Sequence, residues 1–234
     1  MTFKESEIEL YVDVRKLGVV IPAFNAGKTI GDLIRELIIY GFRKDNIIVV
    51  DDGSKDNTNE IVTNFGLKVV NHRKNKGKGA ALKDGFYTAK TKNLKEVFTL
   101  DADGQHKVSE IRRFIGLKGS YDLIIGVRDD LLRMPLLRRL VNRTTSLVVS
   151  LITKKYVPDV QCGFRYVNLE MFDIIKLKTN NYETESEMVI KAIRNKYRLG
   201  FVQITTVYNK EKSYIDPFVD TIRFIKMALE SLWR

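Results

Sequence analysis

The sequence is poor in the residues of a disulfide scaffold or a zinc site: it has 1 Cys, Cys162, and 2 His, His72 and His106. A single thiol excludes an internal disulfide, and two imidazoles exclude a histidine-rich metal cage. Long apolar runs are missing as well. The longest, residues 144–153, is closed by Arg143 and Lys154 and falls short of the roughly 18–20 residues a membrane span requires. The first residues, Met-Thr-Phe-Lys-Glu, lack the apolar stretch of a secretory signal, so a cytoplasmic start is expected. With no repeat, low-complexity tract or Pro/Gly/Ser linker, one domain over residues 1–234 is expected.

What is present is a surplus of cations: 40 Lys and Arg against 29 Asp and Glu leave a net charge of +11. That balance favours anionic partners, whether nucleic acid, phosphorylated small molecules or an acidic membrane face; a solvated basic surface explains it equally well. Apolar residues at 44% describe a globular chain.

From Leu17 onward, short apolar runs alternate with amphipathic segments. Leu17–Ile21, Ile47–Val50, Leu67–Val70, Glu96–Leu100 and Leu123–Val127 read as strands. Between them, helices are expected from Thr29 to Gly41, Asp56 to Phe65 and Gly79 to Ala89, with another helical face over Val108, Ile111, Phe114 and Ile115. Thr29 with Asp32 three residues on has capping-box spacing, and Gly41 fits as a helix stop. Such alternation predicts a doubly wound, mostly parallel α/β sheet with helices on both faces. After Arg128 the spacing predicts helices over Leu136–Ile152, Glu183–Lys196 and Pro217–Trp233, and strands at Phe164–Val167 and Phe201–Val207. In the last helix Phe218, Ile222, Ile225, Leu229 and Leu232 share a face that either packs on the domain or lies in a membrane interface.

Open parallel sheets bind ligands beyond the carboxyl ends of their strands. Two of those ends carry acids: Asp51-Asp52 after Val50, and Asp101-Ala102-Asp103 after Leu100. An Asp-x-Asp turn can aim two carboxylates at one point, which suits Mg2+ or Mn2+, and Gln105 adds a neutral oxygen. The same residues could be no more than turn and cap formers. A phosphate-binding loop at Ala26-Gly27-Lys28-Thr29 is excluded because its first glycine position holds Pro22, which has no N–H to offer. Gly77-Lys78-Gly79 runs on to Leu82, so the dinucleotide fingerprint fails too. A nucleic-acid module would leave the strand-end acids unexplained, since they repel phosphate.

Five segments then occur in order: Val20-Ile21-Pro22-Ala23-Phe24-Asn25, Val49-Val50-Asp51-Asp52-Gly53-Ser54-Lys55-Asp56, Gly77-Lys78-Gly79-Ala80-Ala81-Leu82, Leu100-Asp101-Ala102-Asp103-Gly104-Gln105-His106 and Asp159-Val160-Gln161-Cys162-Gly163-Phe164-Arg165. Over residues 17–215 the sequence resembles family-2 glycosyltransferases of the nucleotide-diphospho-sugar transferase (GT-A) fold, in the dolichyl-phosphate mannosyltransferase and polyprenyl-phosphate glycosyltransferase branch. The resemblance implies a nucleotide-sugar and metal-binding half over 17–127, an acceptor-binding half over 128–216 and a C-terminal amphipathic helix over 217–234. It implies nucleotide contacts at Pro22, Phe24, Asp51, Asp52, Lys78, Asp101, Ala102 and Lys210, and metal ligation by Asp101 and Asp103 with Gln105 assisting. Asp103, Arg128 and Arg138 are implied in catalysis, the two arginines on an acceptor phosphate, with Asn142 a turn beyond Arg138. Relatives often carry Glu where this chain has Ala26, and arginine where Lys210 or Lys212 must serve. The reaction so implied is inverting hexose transfer from a nucleotide diphosphate sugar to a polyprenyl or dolichyl phosphate. It would run at the cytoplasmic face of a membrane touched peripherally, without nucleic acid; a hydroxyl acceptor is the alternative.

Overall fold

The computed structural model describes residues 13–129, 136–207 and 217–232. Seven strands form one sheet: β1 (Gly18–Ala23), β2 (Ile47–Asp51), β3 (Val69–Asn71), β4 (Glu96–Thr99), β5 (Leu123–Arg128), β6 (Arg165–Asn168) and β7 (Leu199–Ile204). Their order is β3-β2-β1-β4-β6-β5-β7. Every neighbouring pair is parallel except those made by β6, which runs antiparallel to both β4 and β5. Parallel strands buried on both faces need continuous apolar runs, and β2 is buried from end to end. Because β1, β2 and β4 run the same way side by side, the acidic carboxyl ends of β2 and β4 open at one edge of the sheet.

Around the sheet lie α1 (Ile30–Tyr40), α2 (Thr58–Asn64), α3 (Lys78–Thr91), α4 (Ile111–Ile115), α5 (Leu136–Thr153), α6 (Phe172–Ile175), α7 (Glu183–Arg194) and α8 (Pro217–Leu232). The α3 helix packs on β1 and β2, while α5, α7 and α8 pack against one another. Gly41 ends α1 in a left-handed conformation, as its position predicts. The capping box at its start does not form. Thr29 makes no side-chain cap; its hydroxyl donates to the Ala102 carbonyl at 2.5 Å, and Asp32 pairs with Arg35 instead. Tertiary structure here offers the hydroxyl a better partner than its own helix.

The last helix corrects the packing alternative. Its inward face is Phe224, Met227 and Ala228, whereas Phe218, Ile222, Ile225, Leu229 and Leu232 are exposed. Helix α5 likewise turns Leu136, Leu140, Leu147 and Leu151 outward and buries Asn142, Thr145, Ser146 and Val149. Among the described residues, no helix is long and apolar enough to cross a membrane.

Candidate active site

The loops after β1 and β2 are laced together. The Asn25 N–H donates to Ser54 Oγ and the Ala26 N–H to Thr58 Oγ1, both at 2.8 Å, while Asp56 accepts from the Gly27 N–H at 2.9 Å. Beside them opens a cleft of about 580 Å³ lined by Phe24, Asp51, Ser54, Lys55, Asn59, Asn71, His72 and Arg73 among others. Asp51 is buried, and its Oδ1 accepts from the Ser54 N–H at 2.9 Å. That bond fixes the carboxylate at the mouth of β2. Pro22, one residue before the end of β1, is in register with Val50.

Asp52, buried next door, does a different job. It accepts from the N–H groups of Lys76 and Gly77, each at 2.8 Å, and from His72 Nδ1 at 2.6 Å. The other nitrogen of His72 lies 2.8 Å from Asp84 on α3. Asp52 therefore shapes the turn into α3. His72 carried no motif in the sequence; only the fold sets it between two carboxylates.

The first turn of α3 delivers Lys78 to the second acidic end. Lys78 Nζ stands 2.6 Å from Asp101 Oδ1 and 3.2 Å from Glu185 Oε1 of α7. Burial opposes its charge, but the two carboxylates hold its ammonium above the ordinary lysine range. Gly79 lets the helices approach: a Cβ there would stand 1.8 Å from Thr184 Oγ1. His106 Nε2 lies 3.7 Å from Asp101 Oδ2, with its ring tilted on Phe164 in the aromatic core. Burial would raise the Asp101 carboxyl, yet Lys78 and His106 together hold it well below the usual range. Asp103 shifts the other way, raised by burial and then by the charge of Asp101. Its Oδ1 accepts from the Gln105 N–H at 3.0 Å.

No three His, Cys, Asp or Glu side chains form a preformed metal cage among the described residues. The donor set nevertheless fits Mg2+ or Mn2+. Two half-buried carboxylates on one turn supply hard oxygens, Asp103 has no cation partner within ion-pair distance among the described residues, and such ions commonly complete their shell with phosphate and water.

Arg128 at the end of β5 is buried, and its fork faces Asp159: Nε donates to Oδ2 at 2.7 Å and Nη2 to Oδ1 at 2.8 Å. Asn142 is buried on α5, and its Oδ1 has no hydrogen bond among the described residues. Arg138 lies on α5 without a described side chain, and Lys210 and Lys212 lie outside the described residues. Cys162 is an interior apolar group, its thiol pushed up to about 12 by burial and the nearby Asp159 charge. Arg165, which the sequence offers only as the end of the fifth motif and without a role, is fully buried; it donates to the carbonyls of Val160, Cys162 and Glu185 and ties the 159–164 loop to α7.

Residues 18–175 match the glycosyl transferase family 2. The chain belongs to that family. It is 32% identical over 217 residues to the UDP-N-acetylglucosamine–dolichyl-phosphate N-acetylglucosaminyltransferase of Methanococcus voltae, covering 82% of this chain and 86% of that one. To the polyprenol monophosphomannose synthase of Mycolicibacterium smegmatis it is 27% identical over 201 residues, 80% of this chain and 76% of the relative. Its fold is that of glucosyl-3-phosphoglycerate synthase from Mycobacterium tuberculosis, solved with Mn2+, UDP and phosphoglyceric acid. The match has a TM-score of 0.69 at 18% identity, over 92% of this chain and 78% of that one. This glycosyltransferase thus stands in the dolichyl- and polyprenyl-phosphate branch of its family, with a GT-A fold.

Proposed function

We propose that the enzyme moves a hexose from a nucleotide diphosphate sugar, of the GDP-mannose or UDP-glucose type, onto a polyprenyl or dolichyl phosphate, inverting the anomeric centre. The observation that carries the reading is the single sheet edge that carries both the Asp51 cleft, after β2, and the Asp101–Lys78 pair with Asp103, after β4. Asp51 accepts a hydrogen bond from the base, and Phe24 walls the cleft. Asp101 and Asp103 would hold Mg2+ or Mn2+, which when bound offsets the charge growing on the departing nucleoside diphosphate. Gln105 braces Asp103 through its backbone N–H. Lys78 adds a cation at the same point.

The acceptor phosphate is already an anion and requires no general base. Asp159 is a poor candidate for one, because both of its oxygens are engaged by Arg128. Arg128, oriented by that pair, and Arg138 on α5 are the proposed cations on the phosphate side, and Lys210 would close over the nucleotide. The exposed apolar stripes of α5 and α8, beside Arg143, Lys154, Arg223 and Lys226, support peripheral contact with a membrane at its cytoplasmic face.

The test is transfer from labelled UDP- and GDP-sugars, with Mn2+, to dolichyl phosphate against dolichol. Transfer to the phosphate alone is expected, abolished by EDTA and reduced about 10²–10³-fold by Asp101→Asn or Asp103→Asn. Equal glycosylation of dolichol, or full activity in EDTA, would overturn the reading.

A further inference from the structure

The lysine at the centre of the site has two carboxylates within reach, and they belong to different elements. Nζ of Lys78 lies 2.6 Å from Asp101 Oδ1 on the β4 side and 3.2 Å from Glu185 Oε1 on α7. Both carboxylates are largely shielded, with Glu185 only 4% exposed at its side chain. A buried carboxylate is stable only when paired or coordinated. Among the described residues Glu185 has one cation partner, Lys78, and no other side-chain hydrogen bond. Asp101 shares the same ammonium, with His106 more distant at 3.7 Å. Asp103, two residues on, makes no ion pair among the described residues.

An ammonium on Asp101 Oδ1 and a divalent cation bound by the same oxygen would be like charges a few ångströms apart. In a shielded site that repulsion is large. The lysine must therefore release Asp101 when the cation arrives, and a second buried carboxylate already stands beside it. We propose that Lys78 is an internal counter-ion: it holds Asp101 while the metal site is empty and passes to Glu185 when a divalent cation binds. The inference rests on the metal-dependent reading above. Glu185 is then a positioning residue, acting on the metal through the lysine and not as a ligand.

The consequence has a sign that a direct role would not give. Removing Lys78 should tighten metal binding, because the cation no longer displaces a charge. Removing the charge of Glu185 should loosen it, because the displaced ammonium has no carboxylate to receive it. With Lys78 already gone, changing Glu185 should do little.

Mn2+ binding to the nucleotide-free enzyme, followed by the electron paramagnetic resonance of free Mn2+, tests this in wild type, Lys78→Met, Glu185→Gln and the double variant. Lys78→Met should lower the Kd for Mn2+ by at least about tenfold and Glu185→Gln raise it by a similar factor, with the double variant matching Lys78→Met. Unchanged or weaker binding by Lys78→Met overturns the proposal. So does a Glu185→Gln loss of equal size in both backgrounds, which would make Glu185 act through space alone. Wild-type enzyme that binds no Mn2+ would overturn the metal-dependent reading together with this one; binding without coupling would overturn this one only. Should circular dichroism show Lys78→Met unfolded, Lys78→Gln replaces it, and unchanged affinity in Glu185→Gln still sinks the idea.

Discussion

Gly163 has no room for a methyl group. A Cβ there would stand 2.4 Å from Asp101 Oδ2 and 2.5 Å from Oδ1, and the neighbouring strand fixes the loop, since Thr99 Oγ1 donates to the Gly163 carbonyl at 2.6 Å. The carboxylate must therefore move, and with it the contact to Lys78. Gly163→Ala is expected to cut kcat by about 10–100-fold, the scale of a displacement near 1 Å in a catalytic group. The variant should stay folded with a lowered Tm, because the clash is relieved by rotating one side chain away from its Lys78 contact. Gly116→Ala, where the nearest atom to a new Cβ is 3.6 Å away, is the silent control. Wild-type kcat in Gly163→Ala would show that Asp101 need not stay where it is.

Helix α7 is unusual for the polarity of its buried first turns, where Glu183, Thr184, Glu185, Ser186 and Glu187 are all interior. Each acid there has to be satisfied, and Glu187 does so by closing the preceding loop. It accepts from the Lys178 N–H at 3.0 Å, the Thr179 N–H at 2.9 Å and Lys191 Nζ at 2.6 Å. Burial would raise this carboxyl, but Lys191, Thr179 and the two backbone donors hold it below the ordinary value. A depressed folded pKa means stability that is complete above the unfolded value, about 4.3, and lost as the pH falls through the folded one. Glu187→Gln should therefore cost about 1.5–3 kcal/mol at pH 7. Thermal unfolding from pH 7 down to pH 3 should show the gap to wild type closing below about 4.3. A gap independent of pH would mean that the loss comes from shape and not from charge.

At the scale of the molecule, the surface around α5 and α8 sets this enzyme apart from an ordinary globular domain. Isolated exposed leucines need no explanation, but stripes on two helices in contact do. With a net charge of +11 behind them, they suit an anionic bilayer better than a second copy of the same basic chain. Cosedimentation with anionic phospholipid vesicles lacking polyprenyl phosphate checks this apart from catalysis. Ile222→Glu with Leu229→Glu should lower vesicle binding by about tenfold or more, since each buried apolar side chain contributes roughly 1.5–3 kcal/mol. The Tm should hold, because both residues face outward. Undiminished binding would leave charge alone as the attraction, and a concentration-dependent dimer lost in the same variant would assign the face to self-association.

The order of strands and helices was legible in the sequence because burial on both faces of a parallel sheet demands apolar runs, and Ile47–Asp51 is one from end to end. The acids at the ends of β2 and β4 were legible for the complementary reason: a carboxylate at the mouth of a buried strand needs a partner, and the chain advertises it by breaking an apolar run. What the sequence could not convey is which partner each acid finds. Asp51 and Asp52 are neighbours in the chain, yet successive residues point to opposite sides, so one lines the cleft while the other pins the turn into α3. The outward turn of the α8 stripe was undecided too. Periodicity groups Phe218 with Leu232 on one side but says nothing of which side meets the core, and the packing of Phe224, Met227 and Ala228 decided it. Lys78 meets Asp101 and Glu185 across 23 and 107 residues of chain. Such pairs are made by the crossing of α3, β4 and α7 over one sheet edge, a property of the tertiary structure that no local pattern of residues contains.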